Sequence, residues 1–251
     1  VNHSHEEAHI HTGIMRLALA TEDARAYWSR VVPGENAKER LRRAFEERWF
    51  GGKSEERVAG ILRYFYARFD AFPESLPVLG RWREMAPDTR RAICHWHLQL
   101  SDPLYRELTG AYLPERRSGP RSEISRYLVL RWLASKFPGR WSSSSAAVVA
   151  SKLLSAAHEA GLVASNRDPR PLVWPRVPDH ALLYLLHLLR GLVFEGTLLE
   201  NPYLASVGLT GPALEERLRK LPGVSYRRMG ALEDLQFEHP TLTAWAAEVI
   251  S

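Results

Sequence analysis

The sequence predicts a mainly α fold, and three observations carry the reading. Apolar side chains recur at helical spacing through most of the chain, residues suited to helix capping stand just ahead of those runs, and Pro and Gly cluster where the runs stop. With 251 residues, 45% of them apolar and 25% charged, the chain is long enough for one large core or a few small ones. It is too apolar to stay disordered.

Residues 1–11, with His3, His5, His9 and His11, read as a flexible lead-in. From 12 to 118 the pattern is helical, and an antiparallel N-terminal helical bundle is the natural solution. Thr21 caps a turn opened by Glu22 and Asp23, and Asn36 followed by Glu39 has the form of a capping box. In the helix that follows, Ala37, Leu41, Ala44, Phe45 and Trp49 share one face and Glu39, Arg43 and Glu46 the other. Ser54 opens the next helix, whose Val58, Ile61, Leu62, Phe65 and Phe69 make a continuous stripe. Pro73 and Pro77 interrupt the pattern, and shorter helices are expected around 79–85, 89–100 and 104–113.

The run PERRSGP at 114–120 has the composition of an exposed connector, which places a domain boundary near 118. A second domain, 119–178, begins with a helix over 123–137 that ends at Pro138-Gly139. Ser142 to Ser145 then offer N-caps for a helix running to Ala160, stopped by Gly161. Two short apolar segments, 162–164 and 172–174, flank a polar turn and read as a hairpin. Helix, tight turn, helix and hairpin is the layout of a winged helix-turn-helix. The last part, 179–251, is a C-terminal helical domain. It holds a very apolar helix over 179–194, short helices near 198–206 and 210–221, a possible second small hairpin from 224–228 and 232–237, and a closing helix over 241–250.

Charge is distributed unevenly. The net charge is only +5, but residues 119–178 hold 9 Lys and Arg against 3 Asp and Glu. The opposing acids are Glu123, Glu159 and Asp168. Such a segment sets up a positive field that attracts phosphate, or serves as a solubilising surface facing the acidic C-terminal part. A single cysteine, Cys94, and the lack of a secretory signal pattern fit a reducing cytoplasm. The most apolar stretch, 181–194, is shorter than the ~20 residues of a bilayer span, so no membrane association is expected.

Motifs for phosphate loops, dinucleotide folds, nucleophile elbows and zinc helices are all missing, which argues against an enzyme and against a cofactor or small-molecule substrate. Cys94, His95 and His97 are the one compact set of metal-capable side chains. One to three residues apart on a helix, they do not share a face, and a buried thiol flanked by half-exposed histidines is the expected arrangement, with no metal.

The serine-rich helix is the most informative element. Val149, Ala150, Leu153, Leu154, Ala157 and Ala160 fall on one side, while Ser144, Val148, Ser151 and Ser155 fall opposite, with Lys152 and Glu159 beside them. An ordinary solvated face would carry Glu, Lys and Arg. Small hydroxyl side chains suit a helix that approaches another surface closely, either a DNA major groove or a protein neighbour. The DNA reading draws in Ser144, Ser145, Ser151, Lys152 and Ser155 on the helix, Arg121, Arg126 and Arg140 beside it, and Arg167 and Arg170 at the hairpin tip.

The segment DPLYRELTGAYL at 102–113, then Trp141 followed by the serine-capped helix ending in EAGLV at 159–163, resembles the BrxA family of bacteriophage exclusion (BREX) systems. The resemblance runs from about Thr12 to Trp245 by order of elements. It implies a mostly helical cytoplasmic protein with helical-bundle and winged-helix parts. Such a protein binds double-stranded DNA and works with a methyltransferase and an ATPase that discriminate host from phage DNA. It implies no catalytic residues. The stretches 201–209 and 228–230 do not match shorter members of the family and read as an elaboration. The alternative from the residues themselves is an assembly subunit whose winged helix contacts protein.

Overall fold

The computed structural model describes residues 4–230 and 232–250, and the chain folds mainly as helices with a few short strands. Strand β1 (Ser4–His5) and a 3-10 turn (Gly13–Met15) precede α1 (Thr21–Trp28) and α2 (Ala37–Glu46). Asn36 caps α2 by accepting from the Lys38 N–H at 2.9 Å, but Glu39 is held by Arg42, so no reciprocal box forms. The buried face of α2 is also rotated from the expected one. Ala44 and Trp49 are inside, whereas Ala37 and Phe45 are exposed and Arg40 is buried. Arg40 takes the inner position because it donates to the Asp70 carboxylate and the Tyr27 hydroxyl, both at 2.7 Å.

Ser54 caps α3 (Glu55–Phe65), whose expected stripe is entirely buried, and the helix runs on through a π turn (Tyr66–Asp70) that keeps Phe69 in the core. Next come α4 (Ser75–Arg81), a few residues ahead of its expected place, and α5 (Pro87–Ser101). From Asp102, which caps by accepting from the Tyr105 N–H, a nearly continuous helical run follows: α6 (Pro103–Glu107), a π turn (Leu108–Tyr112) and α7 (Leu113–Ser118). The stretch expected as an exposed connector therefore begins as helix, because Pro114 stands in the first turn of α7, where no N–H is needed. Gly110 is required in that run: a Cβ there would lie 2.4 Å from Pro202.

The middle of the chain forms β2 (Glu123–Ile124), α8 (Arg126–Lys136), α9 (Ser143–Glu159) and β3 (Arg170–Pro171). It is followed by α10 (Asp179–Arg190), β4 (Leu192–Val193), α11 (Pro202–Ser206), α12 (Gly211–Lys220), β5 (Val224–Met229), β6 (Leu232–Phe237) and α13 (Leu242–Val249). The hairpin of β5 and β6 is antiparallel with Tyr226 opposite Leu235. No helix among the described residues is long and apolar enough to cross a membrane.

The expected lead-in is not loose where it is described. β1 pairs in parallel with β4, Ser4 opposite Leu192 and His5 opposite Val193. Glu6 meets Arg106 and the Tyr203 hydroxyl, the Glu7 N–H donates to the Leu100 carbonyl at 2.8 Å, and the His11 ring bonds the Ser101 carbonyl. These partners lie far along the chain, so no local pattern announces them.

One contiguous apolar core joins residues from Ile14 to Ala246, and α5 lies within it. The histidines expected to be half-exposed are buried with Cys94, because α5 is covered on every side from Ala92 to Leu100. His95 bridges the Tyr105 hydroxyl (2.8 Å) and Ser206 Oγ (2.9 Å), and His97 bridges the Arg68 carbonyl (2.8 Å) and the Tyr184 hydroxyl (2.7 Å). Among the described residues no three His, Cys, Asp or Glu side chains are grouped to hold a metal. Burial lowers His95 and His97 to about 3 and His187 to about 4. Among the described residues His187 has no hydrogen-bond partner on either ring nitrogen, and it sits between Trp245 and Phe237.

Two outcomes follow. Phe65, fully buried among Tyr27, Phe50 and Phe69, should cost about 3–5 kcal/mol when replaced by Ala, read as a lower denaturation midpoint. The three buried histidines are neutral in the fold, while the unfolded chain takes up protons below their ordinary value of 6.5. Their stability contribution is therefore complete above that value and drains away as pH falls toward 4. His187→Phe should flatten the melting profile between pH 6.5 and 4 and hold or raise Tm at neutral pH, since it removes two unpartnered buried nitrogens.

Candidate nucleic-acid interface

The basic segment folds around α8 and α9. Ser125 caps α8 by accepting from the Leu128 N–H, and α8 buries Val129, Trp132 and Leu133. Ser142 caps α9 by accepting from the Ser145 N–H, and Val149, Ala150, Leu153, Leu154, Ala156 and Ala157 form its inner face. Gly161 ends α9 at φ +76, a left-handed conformation that favours glycine. The strand expected at 162–164 meets 172 through an antiparallel bridge between Val163 and Leu172. A third strand was not expected: β2, placed by sequence within the preceding helix, pairs antiparallel with β3, Ile124 opposite Arg170. Strands of two residues are too short to show alternation, which hid them in the sequence.

The outer face of α9 is open. Ser144, Val148, Lys152 and Ser155 are exposed, and Ser145 and Ser151 are partly so. Ser151 and Ser155 hydroxyls donate to the carbonyls four residues back, each at 2.9 Å, leaving oxygen lone pairs toward solvent. In this helix of 17 residues the one carboxylate is Glu159, exposed at the C-terminal end of the same face, where its oxygens are engaged by α1. It accepts from the Thr21 N–H and hydroxyl, both at 2.9 Å, and so holds the start of α1.

Asp168 is also committed internally. It accepts from the Arg126 N–H and from Arg170 Nε, both at 2.7 Å. Partial burial works against its charge, but the Arg170 hydrogen bond, the Arg126 N–H and the two guanidinium charges keep its carboxyl below the ordinary value. Arg126 reaches the Ala147 carbonyl at 3.4 Å, which brings α8's first turn beside α9.

The predicted site residues therefore separate into groups. Ser144, Ser145, Ser151, Lys152 and Ser155 share one surface, and Arg126 borders it. Arg167 is exposed in the hairpin turn, but Arg170 is largely covered and held by Asp168. Arg140 donates to the Ile10 carbonyl at 2.5 Å, and Arg121 borders a shallow hollow with Glu115 and Arg116. Sequence reasoning missed two surface aromatics: Tyr127, 65% exposed with Arg131 over its ring, and Trp174, 53% exposed with the Arg117 guanidinium 3.9 Å from its centroid. Arg117 also donates to the carbonyls of Leu162, Val173 and Ser206, tying the hairpin to α7 and α11. No sequence period separates an exposed aromatic from a core one.

No family model and no curated protein matches the chain. The crystal structure of an uncharacterized protein from Magnetospirillum magneticum is similar, with a TM-score of 0.57 and 15% identity over 71% of this chain and 92% of that one. At that identity the likeness concerns the fold alone.

The two hairpin arginines should behave differently. Arg167→Glu should leave stability unchanged within about 0.5 kcal/mol, whereas Arg170→Glu, facing Asp168, should destabilise by about 1–2 kcal/mol in thermal unfolding.

Proposed function

We propose that this protein is a non-enzymatic, double-stranded DNA-binding accessory factor of a BREX-type phage-defence system, acting beside its methyltransferase and ATPase. On this reading 12–118 is an N-terminal helical bundle, 119–178 a winged helix-turn-helix domain, and 179–251 a C-terminal helical part with a second small hairpin. The observation that carries the reading is the outer face of α9, which presents Ser144, Ser151, Lys152 and Ser155 to solvent and whose one carboxylate, Glu159 at the far end, is engaged by Thr21. A helix entering a major groove needs short side chains, hydroxyls for phosphate or base edges, and no negative charge. Arg126 and Arg167 supply flanking cations, and among the described residues neither has a carboxylate bonded to its guanidinium. The BrxA resemblance supplies the biological setting.

A mobility shift with unrelated duplexes across a salt series tests this: binding driven by phosphate weakens steeply as salt rises. Ser155 is exposed, so Ser155→Glu should leave stability within about 0.5 kcal/mol and sharply reduce duplex affinity by placing a carboxylate among phosphates. Arg167→Glu should weaken binding as well. Wild-type affinity in Ser155→Glu would remove α9 as the contact, and no shift at low salt would leave the face as a protein interface.

A further inference from the structure

On a different part of the molecule, α1, α4 and the start of α5 enclose a cleft of about 620 Å³. That volume lies within the range of small-molecule sites. Its walls combine two chemistries. Trp28, Trp49 and Trp82 supply indole surface, and Arg25, Arg30, Arg83 and Arg90 supply positive charge. Glu22 is the one acid that lines it, and its carboxylate is taken by Arg90 Nη1 at 3.2 and 3.3 Å.

The balance of hydrogen-bonding groups is one-sided. Arg25, Arg30 and Arg83 are exposed at the rim, and among the described residues none has a carboxylate within ion-pair distance. Deeper in the wall, Trp28 Nε1 and Arg90 Nε are buried donors without an acceptor among the described residues. Those two atoms are sealed in the wall, so the donors open to a ligand are the rim guanidinium groups, of which Arg30 also donates to the Ala26 carbonyl and acts on the Glu47 charge. The indoles differ in access. Trp28 and Trp49 are buried, with Trp49 Nε1 already donating to Glu47, whereas Trp82 is partly open and is held edge-on by Trp245 and His180. Gly80 shapes the floor, since a Cβ there would lie 3.1 Å from the Trp28 carbonyl oxygen.

We propose that this cleft binds a nucleoside phosphate, with the phosphate oxygens on Arg25, Arg30 and Arg83 and the base against Trp82. Guanidinium groups match phosphate geometry and charge, and an indole face stacks on any base. A bare anion would use the arginines and leave the indole idle. An uncharged aromatic ligand would use the indole and leave the arginines unpaired. The ligand class that engages both is a phosphorylated nucleoside, a ligand for which the sequence has no motif, because Arg30, Trp82 and Arg83 stand in turns between helices.

Isothermal titration of the full chain with AMP, ATP, adenosine and orthophosphate tests the assignment. AMP or ATP should bind saturably and more tightly than adenosine or orthophosphate. Arg25→Gln with Arg83→Gln, both at exposed positions, should raise Kd about tenfold or more without lowering Tm. Trp82→Leu should weaken AMP and leave orthophosphate unchanged, and if that variant proves unstable the arginine pair alone decides. Ser155→Glu should retain AMP binding, which separates this cleft from the surface of α9. The proposal is overturned if neither nucleotide binds at millimolar concentration, if the double variant binds like wild type, if orthophosphate matches AMP, or if Ser155→Glu abolishes AMP binding.

Discussion

From Ala92 to Leu100 helix α5 is buried on every side yet carries His95, His97 and Gln99, so the rest of the fold has to deliver hydrogen-bond partners to a stretch that water cannot reach. Those partners come from widely separated parts of the chain. His95 engages Tyr105 on α6 and Ser206 on α11, His97 engages the π turn after α3 and Tyr184 on α10, and Gln99 donates to Thr109 in the second π turn. An unmade buried hydrogen bond costs about 1–3 kcal/mol, so each contact fixes the position of the element that supplies it. The two π turns fit this constraint. One keeps Phe69 in the core while its Arg68 carbonyl accepts from His97 Nδ1, and the other sets Thr109 beside Gln99 and Gly110 against Pro202.

The same logic shapes the surface. Two of the three acids in the basic segment are drawn into structural contacts, Glu159 at the start of α1 and Asp168 between Arg126 and Arg170. Several of its cations are drawn in too, for Lys136 pairs with Glu107, Arg140 holds Ile10 and Arg170 holds Asp168. What faces solvent on α9 is therefore set by which charges the fold consumes rather than by the composition of the segment. A count of charges locates the region, and only the three-dimensional partners show which charges are left for a ligand.

Local chemistry made some elements readable in advance. α9 is bounded by the Ser142 cap and by Gly161, and α3 by the Ser54 cap and its buried stripe, so both were legible from spacing alone. α5 was misjudged at its histidines because a helix buried all round has no polar face to set a period. The inward turn of Arg40 depends on Asp70, thirty residues later, and the order of residues 4–11 depends on partners near 100 and 192. Within the candidate interface, the serine face and Arg126 were readable from a helical wheel. The covering of Arg170 by Asp168 and the exposure of Tyr127 were not, since both are products of packing.

The pairing of β1 with β4 joins residues 4–5 to 192–193, and Glu6 with Tyr203 extends the same seam. During translation, the earliest of these residues leave the ribosome long before their partners exist. Helical turns of α1 to α9 can form locally as they emerge, but the packing of α5 waits for α10 and α11, and the seam waits until the ribosome has passed Tyr203. Until then β1 is an uncovered edge and the His95 and Gln99 side of α5 lacks the contacts that α11 brings. The nascent chain thus carries an open flank whose closure reports that synthesis has passed Tyr203.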